Sequence, residues 1–258
     1  MIEALYIAET GMNSQQELIE VISNNIANVS TPGFKSSDVN FVDLVYQTNP
    51  SMQNTQLSEQ SQTQGIGVTT SEQMVNFERG DLKQTGNPFD IAINGNGFLA
   101  VETQNGELAY TRAGRLRVDE SGYLVSSQGQ KLSANIQLPP DVTSVTFTSS
   151  GAVLVRVDSS TQLVELGQLE LVNFSNPQGL TRLGNNLYSA TEQAGQPNFS
   201  TPGENGVGQI VQGFTELSNV SMNEEMVNLM LAQRGYQLNA RIIQVSDQVL
   251  ETINNLRR

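Results

Sequence analysis

The sequence predicts an α+β protein whose long N- and C-terminal helices pair as a coiled coil and bracket a central all-β region. Three observations carry this. Apolar or small residues recur at alternating steps of three and four from Leu5 to Val29. Turn signals and period-two runs replace that pattern from Gly65 to about Gly213. From Ser221 the helical period returns and holds almost to the end of the 258 residues. Steps of three and four keep side chains on one helix face, whereas alternation suits a strand.

The first helical seam consists of Leu5, Ala8, Met12, Ile19, Ile22, Ile26 and Val29, with Gln15 in the one polar slot. Ile2, Leu18 and Val21 widen the stripe, no Pro interrupts it, and only Gly11 weakens it. The seam stops at "NNIANVSTPGFK", residues Asn24 to Lys35. Asn24, Asn25 and Asn28 read as residues that tolerate a left-handed helix end, and Pro32-Gly33 after Thr31 suits the centre of a type II turn. Phe34 and Lys35 then lead into the β region. One or two such residues would end a helix, so a run of this length reads as a specified joint.

Beyond the joint, "SDVNFVDLVYQ" is a short amphipathic piece, and "TNPSMQNTQLSEQSQTQ" has the composition of a loop or linker. "FDIAINGNGFLAV" is expected to be a hairpin whose two Asn-Gly dipeptides supply positive φ. "LAYTRAGRLRVDESGYLVS" follows with turns at Ala113-Gly114 and Ser121-Gly122, and "VTSVTFTSSGAVLVRVD" and "ELGQLELVNF" continue the pattern. Short strands between frequent turns, with no convincing helix among them, make this region all-β.

The second helix opens with Ser221 and Glu224 in capping-box spacing. Met222, Leu229, Tyr236, Ile243 and Leu250 recur every seven residues, and Leu231, Leu238 and Val245 form a second file. Val227, Ile242, Val249, Ile253 and Leu256 add more, so the helix is apolar on several sides, where a surface helix shows one stripe. Each terminal helix is the natural antiparallel partner of the other. One seam leaves faces of the second helix uncovered, which asks for helices from other copies. The plainer alternative is a dimeric coiled coil that carries a soluble β-domain binding module, and tubes against a small closed oligomer would separate the two.

Composition excludes several functions. There are 26 acidic and 13 basic residues, a net charge of −13, which disfavours a nucleic-acid or anionic-membrane partner. His, Cys and Trp are absent, which removes thiol nucleophiles, imidazole bases and the usual zinc ligands. No catalytic residue, metal site or cofactor is expected. "GNGF" is a lone G-x-G without the following helix of a dinucleotide site and reads as a turn. Asp119-Glu120 reads as solvated acids in a hairpin turn. Asn28-Val-Ser, Asn198-Phe-Ser and Asn219-Val-Ser match a glycosylation triplet that is common by chance. The first residues lack a basic secretory n-region, and no run approaches eighteen apolar residues, so neither a signal peptide nor a membrane-spanning helix is expected.

"SNNIANVSTPGFK", residues Ser23 to Lys35, resembles the N-terminal signature of the bacterial flagellar axial family, which comprises rod, hook and hook-junction proteins. "ELSNVSMNEEMVNLMLAQRGYQLNARIIQVSDQVLETI" resembles the family's C-terminal signature. Between them "FDIAINGNGFLAV", "AYTRAGRLRVDESGYLV" and "STPGENGVGQIVQGF" are similar to the rod members. Length and the polar segment before Gly65 favour the distal rod group, with the shorter proximal paralogue as the nearest alternative.

The resemblance implies a structural subunit that self-assembles into a rigid helical tube and passes motor torque to the hook. Partners would be other copies, the proximal rod below, the hook protein above and the surrounding basal-body rings. There would be no nucleic acid and no membrane insertion. Export would run through the flagellar type III apparatus without a cleaved signal peptide, to a basal body crossing the periplasm. The expected division is a terminal helical domain of residues 1–30 and 221–258, a connecting domain of 31–94 and 196–220 with extended segments and a β-hairpin, and an outer all-β domain of 95–195. Leu5, Ala8, Met12, Ile19, Ile22, Ile26, Leu229, Tyr236, Ile243 and Leu250 would be the assembly positions, with Asn24, Asn25, Asn28, Thr31, Gly33, Phe34 and Lys35 as the joint. Glu3, Glu9, Glu17 and Glu20 on one helix against Arg234, Arg241, Arg257 and Arg258 on the other favour the mixed helix pair. Gln15 and Arg234 are expected to face a channel or pair between copies. A stiff rod would also have the segment Ser51 to Gln64 contacting the next subunit, against its linker-like composition.

Overall fold

The uninterrupted three-four spacing gives a first helix, α1, over Ile2–Ala27. The computed structural model describes residues 2–47, 63–71, 73–103, 105–157 and 162–256. Most of the polar segment Ser51 to Gln64, together with Arg257 and Arg258, lies outside the described residues. A second helix, α2, covers Met222–Leu256, and its first turn closes with the Glu225 N–H on the Ser221 carbonyl at 3.0 Å. At about 1.5 Å per residue these helices run roughly 39 Å and 52 Å. No described helix is long and apolar enough to cross a membrane.

The chain divides into two compact units: residues 1–27, 37–74 and 221–258 form one, and 28–36 and 75–220 the other. In the first, α1 packs on α2 and on a hairpin of strands Phe41–Gln47 and Thr63–Thr70, paired from Phe41↔Thr70 to Gln47↔Thr63. Gly11 lies against Asn239, Gln15 against Gly235, and Asn25 against Glu225, so the two helices run antiparallel. The inward face of α2 mixes small residues, with Ala232 only 2% exposed, with the partly covered Leu229 and Ile243.

In the second unit the period-two runs form an antiparallel nine-stranded sheet. Its spine runs Thr181–Gly184, Leu187–Ser189, Leu108–Thr111, Phe98–Glu102, Lys131–Leu132, Leu124–Ser126, Leu116–Val118, and Leu171–Asn173 branches from Phe98–Glu102 to pair with Asn198–Ser200. A three-stranded meander holds Val142–Phe147, Ala152–Val157 and Leu163–Gln168. One core gathers Ile91, Leu99, Leu124, Val153, Leu171 and Ile210. A second is aromatic, with Phe77 edge-on to Phe98 and Tyr188 at 5.1 and 5.0 Å. The described helical content here is a single 3-10 turn at Pro177–Gly179.

Three local expectations change. "FDIAINGNGFLAV" is not a hairpin: Ile91–Asn94 pairs with Gln209–Gln212, while Phe98–Glu102 pairs within the large sheet. Gly95 and Gly97 do take positive φ, 131° and 123°, but they carry the chain from one sheet to the other. A Cβ on Gly95 would sit 2.7 Å from the Gly208 Cα, so this crossing needs glycine. Ala113-Gly114 is not a hairpin turn either: it joins Leu108–Thr111 to Leu116–Val118, which are not neighbours in the large sheet, and the Gly114 carbonyl accepts the Ile91 N–H at 2.9 Å. The Ser121-Gly122 turn is a hairpin between Leu116–Val118 and Leu124–Ser126, with Gly122 at φ 83°. Finally, Asn24, Asn25 and Asn28 are not left-handed; the non-glycine residues that are include Asn135, Asn185, Asn186 and Asn205.

Candidate assembly surface and its joint

The joint residues divide between the two units and act differently in each. In the first unit Asn25, still inside α1 and 2% exposed, treats Ser37 as a strand partner would. Its Oδ1 accepts the Ser37 N–H at 3.0 Å, and its Nδ2 donates to the Ser37 carbonyl at 2.9 Å. The same Nδ2 donates to Glu225 Oε1 at 2.7 Å. One buried amide therefore ties α1, the chain after the joint and the first turn of α2. Burial pushes the Glu225 carboxyl above its usual range; the Asn25 bond pulls it back, and Asp38 and Glu224 nearby push it up again. Asn24 lies on the exposed side of α1.

In the second unit Asn28 and Thr31 start the turn, with the Thr31 N–H on the Asn28 carbonyl at 3.0 Å. Pro32 and Gly33 fill its centre: Gly33 has φ 72°, and the Phe34 N–H reaches the Thr31 carbonyl at 3.2 Å. A Cβ on Gly33 would also lie 2.9 Å from the Ala113 Cα. Phe34 is buried beneath the Arg182 guanidinium, 5.1 Å from the ring centre, and Arg182 also donates to the Lys35 carbonyl.

Lys35 is wholly buried. Its ammonium sits 2.6 Å from Glu216 Oε1 and 2.6 Å from the Glu78 carbonyl. Glu216 also accepts the Gly80 N–H at 3.0 Å and Arg112 at 3.3 Å, so one carboxylate faces two cations. Burial lowers the pKa of both cations, against the pull of Glu216. Backbone bonds complete the seam: the Gly33 N–H to the Glu216 carbonyl at 2.9 Å, and the Ser36 N–H to Asn219 Oδ1 at 2.8 Å. The joint is thus stitched to residues 216–219, just ahead of α2 in the chain.

Sequence reasoning singled out Lys35 and Asn25 but not their partners Glu216, Arg112, Ser37 and Glu225. A glutamate at the end of the strand Phe214–Glu216 gives no sign, by itself, of facing inward.

The positions expected to drive assembly fall into two groups. Ala8 and Ile22 are buried, and Leu5, Met12, Ile19, Ile26, Leu229 and Ile243 are partly covered within the chain. Tyr236 and Leu250 are 39% and 38% exposed. The large apolar residues of α2 mostly point outward: Met226, Met230, Leu231, Leu238, Val245 and Ile253 are all about half exposed or more. A folded chain rarely leaves so much contiguous apolar surface on one helix without a partner for it. Glu17 and Glu20 of α1 bond to Thr70 and Gln16, not to Arg234 or Arg241. Gln15 packs against Gly235 with its Oε1 buried and unbonded. Arg234 is exposed.

Three family models match the chain. Residues 5–35 match the flagella basal body rod protein model, 92–155 the flagellar hook protein FlgE/F/G D1 domain, and 211–256 the flagellar basal body rod FlgEFG protein C-terminal. Among similar proteins, the flagellar basal-body rod protein FlgG of Buchnera aphidicola subsp. Schizaphis graminum is 41% identical, over 99% of this chain and 100% of its own length. The protein of the same name from Borreliella burgdorferi is 40% identical and that from Bacillus subtilis 36%, each over the full length of both chains.

Proposed function

The chain belongs to the FlgG family of flagellar basal-body rod proteins, and we propose from that premise that its copies polymerise into a rigid helical tube that passes motor torque to the hook. It is a structural subunit of the rod. In our reading α1 and α2 form a coiled-coil pair whose exposed apolar side packs against other copies in the tube. The proximal rod protein lies below, the hook protein above, and the basal-body rings around it. The chain reaches this place through the flagellar type III apparatus, and no catalytic step is assigned to it.

The observation that supports this most is the division of α2 into two kinds of surface. Ala232 and Gly235 lie on the side toward α1, with Leu229 and Ile243 partly covered, while Leu231, Leu238 and Ile253 remain 60%, 62% and 48% exposed. Burying such side chains is worth about 1.5–3 kcal/mol each, and neighbouring copies supply the surface to bury them. Electron microscopy of the purified chain at rising concentration tests the reading. Straight tubes of constant diameter are expected; a closed dimer or tetramer at every concentration would overturn it.

A further inference from the structure

The first unit contains a pocket of about 300 Å³ whose lining includes two carboxylates, Asp38 and Glu225, neither of which has an ion pair among the described residues. Gln15, Asn25, Ser37, Asp38, Glu225 and Asn228 supply its polar side chains. Ser37 is 95% buried by its 5% exposure, yet its Oγ has no hydrogen-bond partner, and Gln15 Oε1 is buried and unbonded beside the same space. The Asn25 amide donor is already spent on the Ser37 carbonyl and Glu225. Two carboxylates, the Ser37 hydroxyl and the Gln15 amide oxygen thus line one space into which no described residue of the chain brings a cation. A guanidinium has five N–H donors and no acceptor, which is the matching inventory.

Resting on the self-assembly reading above, we propose that this pocket receives Arg241 from a second copy of the chain. Arg241 is exposed and has no ion pair or hydrogen bond among the described residues. It lies nine residues beyond the pocket residue Ala232, about two and a half helical turns, so it projects from the opposite face of α2. Its neighbours along that face, Leu238 and Val245, are 62% and 50% exposed and can close over the pocket mouth. Arg234 shares the direction, but its neighbour Leu231 already lines the pocket, which leaves Arg241 as the arginine that stands clear. Pocket and arginine on opposite faces make a heterologous contact. Repeated from copy to copy, such a contact yields an open filament unless the rotation closes a ring.

The test is a double-mutant cycle on assembly with Arg241→Gln and Asp38→Asn, both on exposed side chains, with the melting of the unassembled chain as a check on folding. Each single change is expected to raise the concentration needed for tube formation about tenfold, and the double change no further than either single. Full additivity, or assembly unaffected by either change, overturns the proposal and leaves the acceptors to solvent. Loss with Asp38→Asn alone also overturns it, because the cation would then come from another protein. If the unaltered chain forms no tubes at any concentration, the self-assembly reading itself fails, an outcome distinct from all of these.

Discussion

Lys35 and Glu216, 181 residues apart in the chain, form a 2.6 Å ion pair with both side chains closed off from solvent. Arg112 shares the same carboxylate at 3.3 Å, so two buried cations depend on one anion. That asymmetry ranks substitutions. Glu216→Gln strands both cations and is expected to cost about 3–5 kcal/mol, the range for breaking a buried pair from one side. Lys35→Met leaves Glu216 with Arg112 and should cost clearly less. Urea unfolding of the three chains checks the order; equal losses would mean that Arg112 does not share the charge.

Asn25 carries a second linkage between distant segments. Replacing it with Leu keeps helix propensity and volume but leaves the Ser37 N–H and carbonyl buried without their partner. An unmet buried group costs about 1–3 kcal/mol, so a loss of about 2–6 kcal/mol is expected for the pair. Hydrogen exchange localises the effect: the Ser37 amide should lose its protection first.

The helix pair depends on close approach. A Cβ on Gly235 would meet the Gln15 side chain at 3.0 Å, at the movable end of a flexible residue. Gly235→Ala is therefore expected to be nearly neutral, since about 1 kcal/mol of helix propensity offsets a small shift of Gln15. Gly235→Leu overfills the same space and should destabilise by about 1–3 kcal/mol. Thermal melts followed by helical circular dichroism separate the two.

These contacts mark how far the residues could be read. Both helices were legible because spacing is local: a three-four seam says helix whatever lies across from it. The face that α2 turns to α1 was only half legible, since Leu229 and Ile243 stand in the apolar pattern while small residues such as Ala232 and Gly235 are quiet in it. The same limit explains "FDIAINGNGFLAV". Its glycines announced positive φ correctly, but Ile91–Asn94 finds its partner at Gln209–Gln212, far along the chain, where no local signal points. Lys35 stood out within a specified joint, yet Glu216 became its partner only through the fold.

Exposure of the apolar side of α2 gives a clean assembly variant. Leu238 is 62% exposed, so Leu238→Asp should leave the melting of the unassembled chain within about 0.5 kcal/mol of the parent. In a packed intersubunit contact the same charge is costly and recurs in every copy. Sedimentation should show the variant remaining small at concentrations where the parent forms tubes. Normal tubes would remove Leu238 from the interface.

Glu225 turns the helix pair into a pH-sensitive element with opposite signs before and after assembly. Its carboxyl is raised above the usual range chiefly by burial, with Asp38 and Glu224 adding negative charge and Asn25 opposing them. Between the ordinary and the raised value the folded chain holds a proton that the unfolded chain has released. Stability of the unassembled chain is therefore fullest below that window and falls as pH rises through it. Glu225→Gln should flatten this fall in denaturant midpoints measured across the window. A guanidinium seated beside Asp38 and Glu225 favours the ionised carboxylates, so tube formation should strengthen over the same rise in pH. Assembly that instead weakened in step with monomer stability would show that no cation enters beside Glu225.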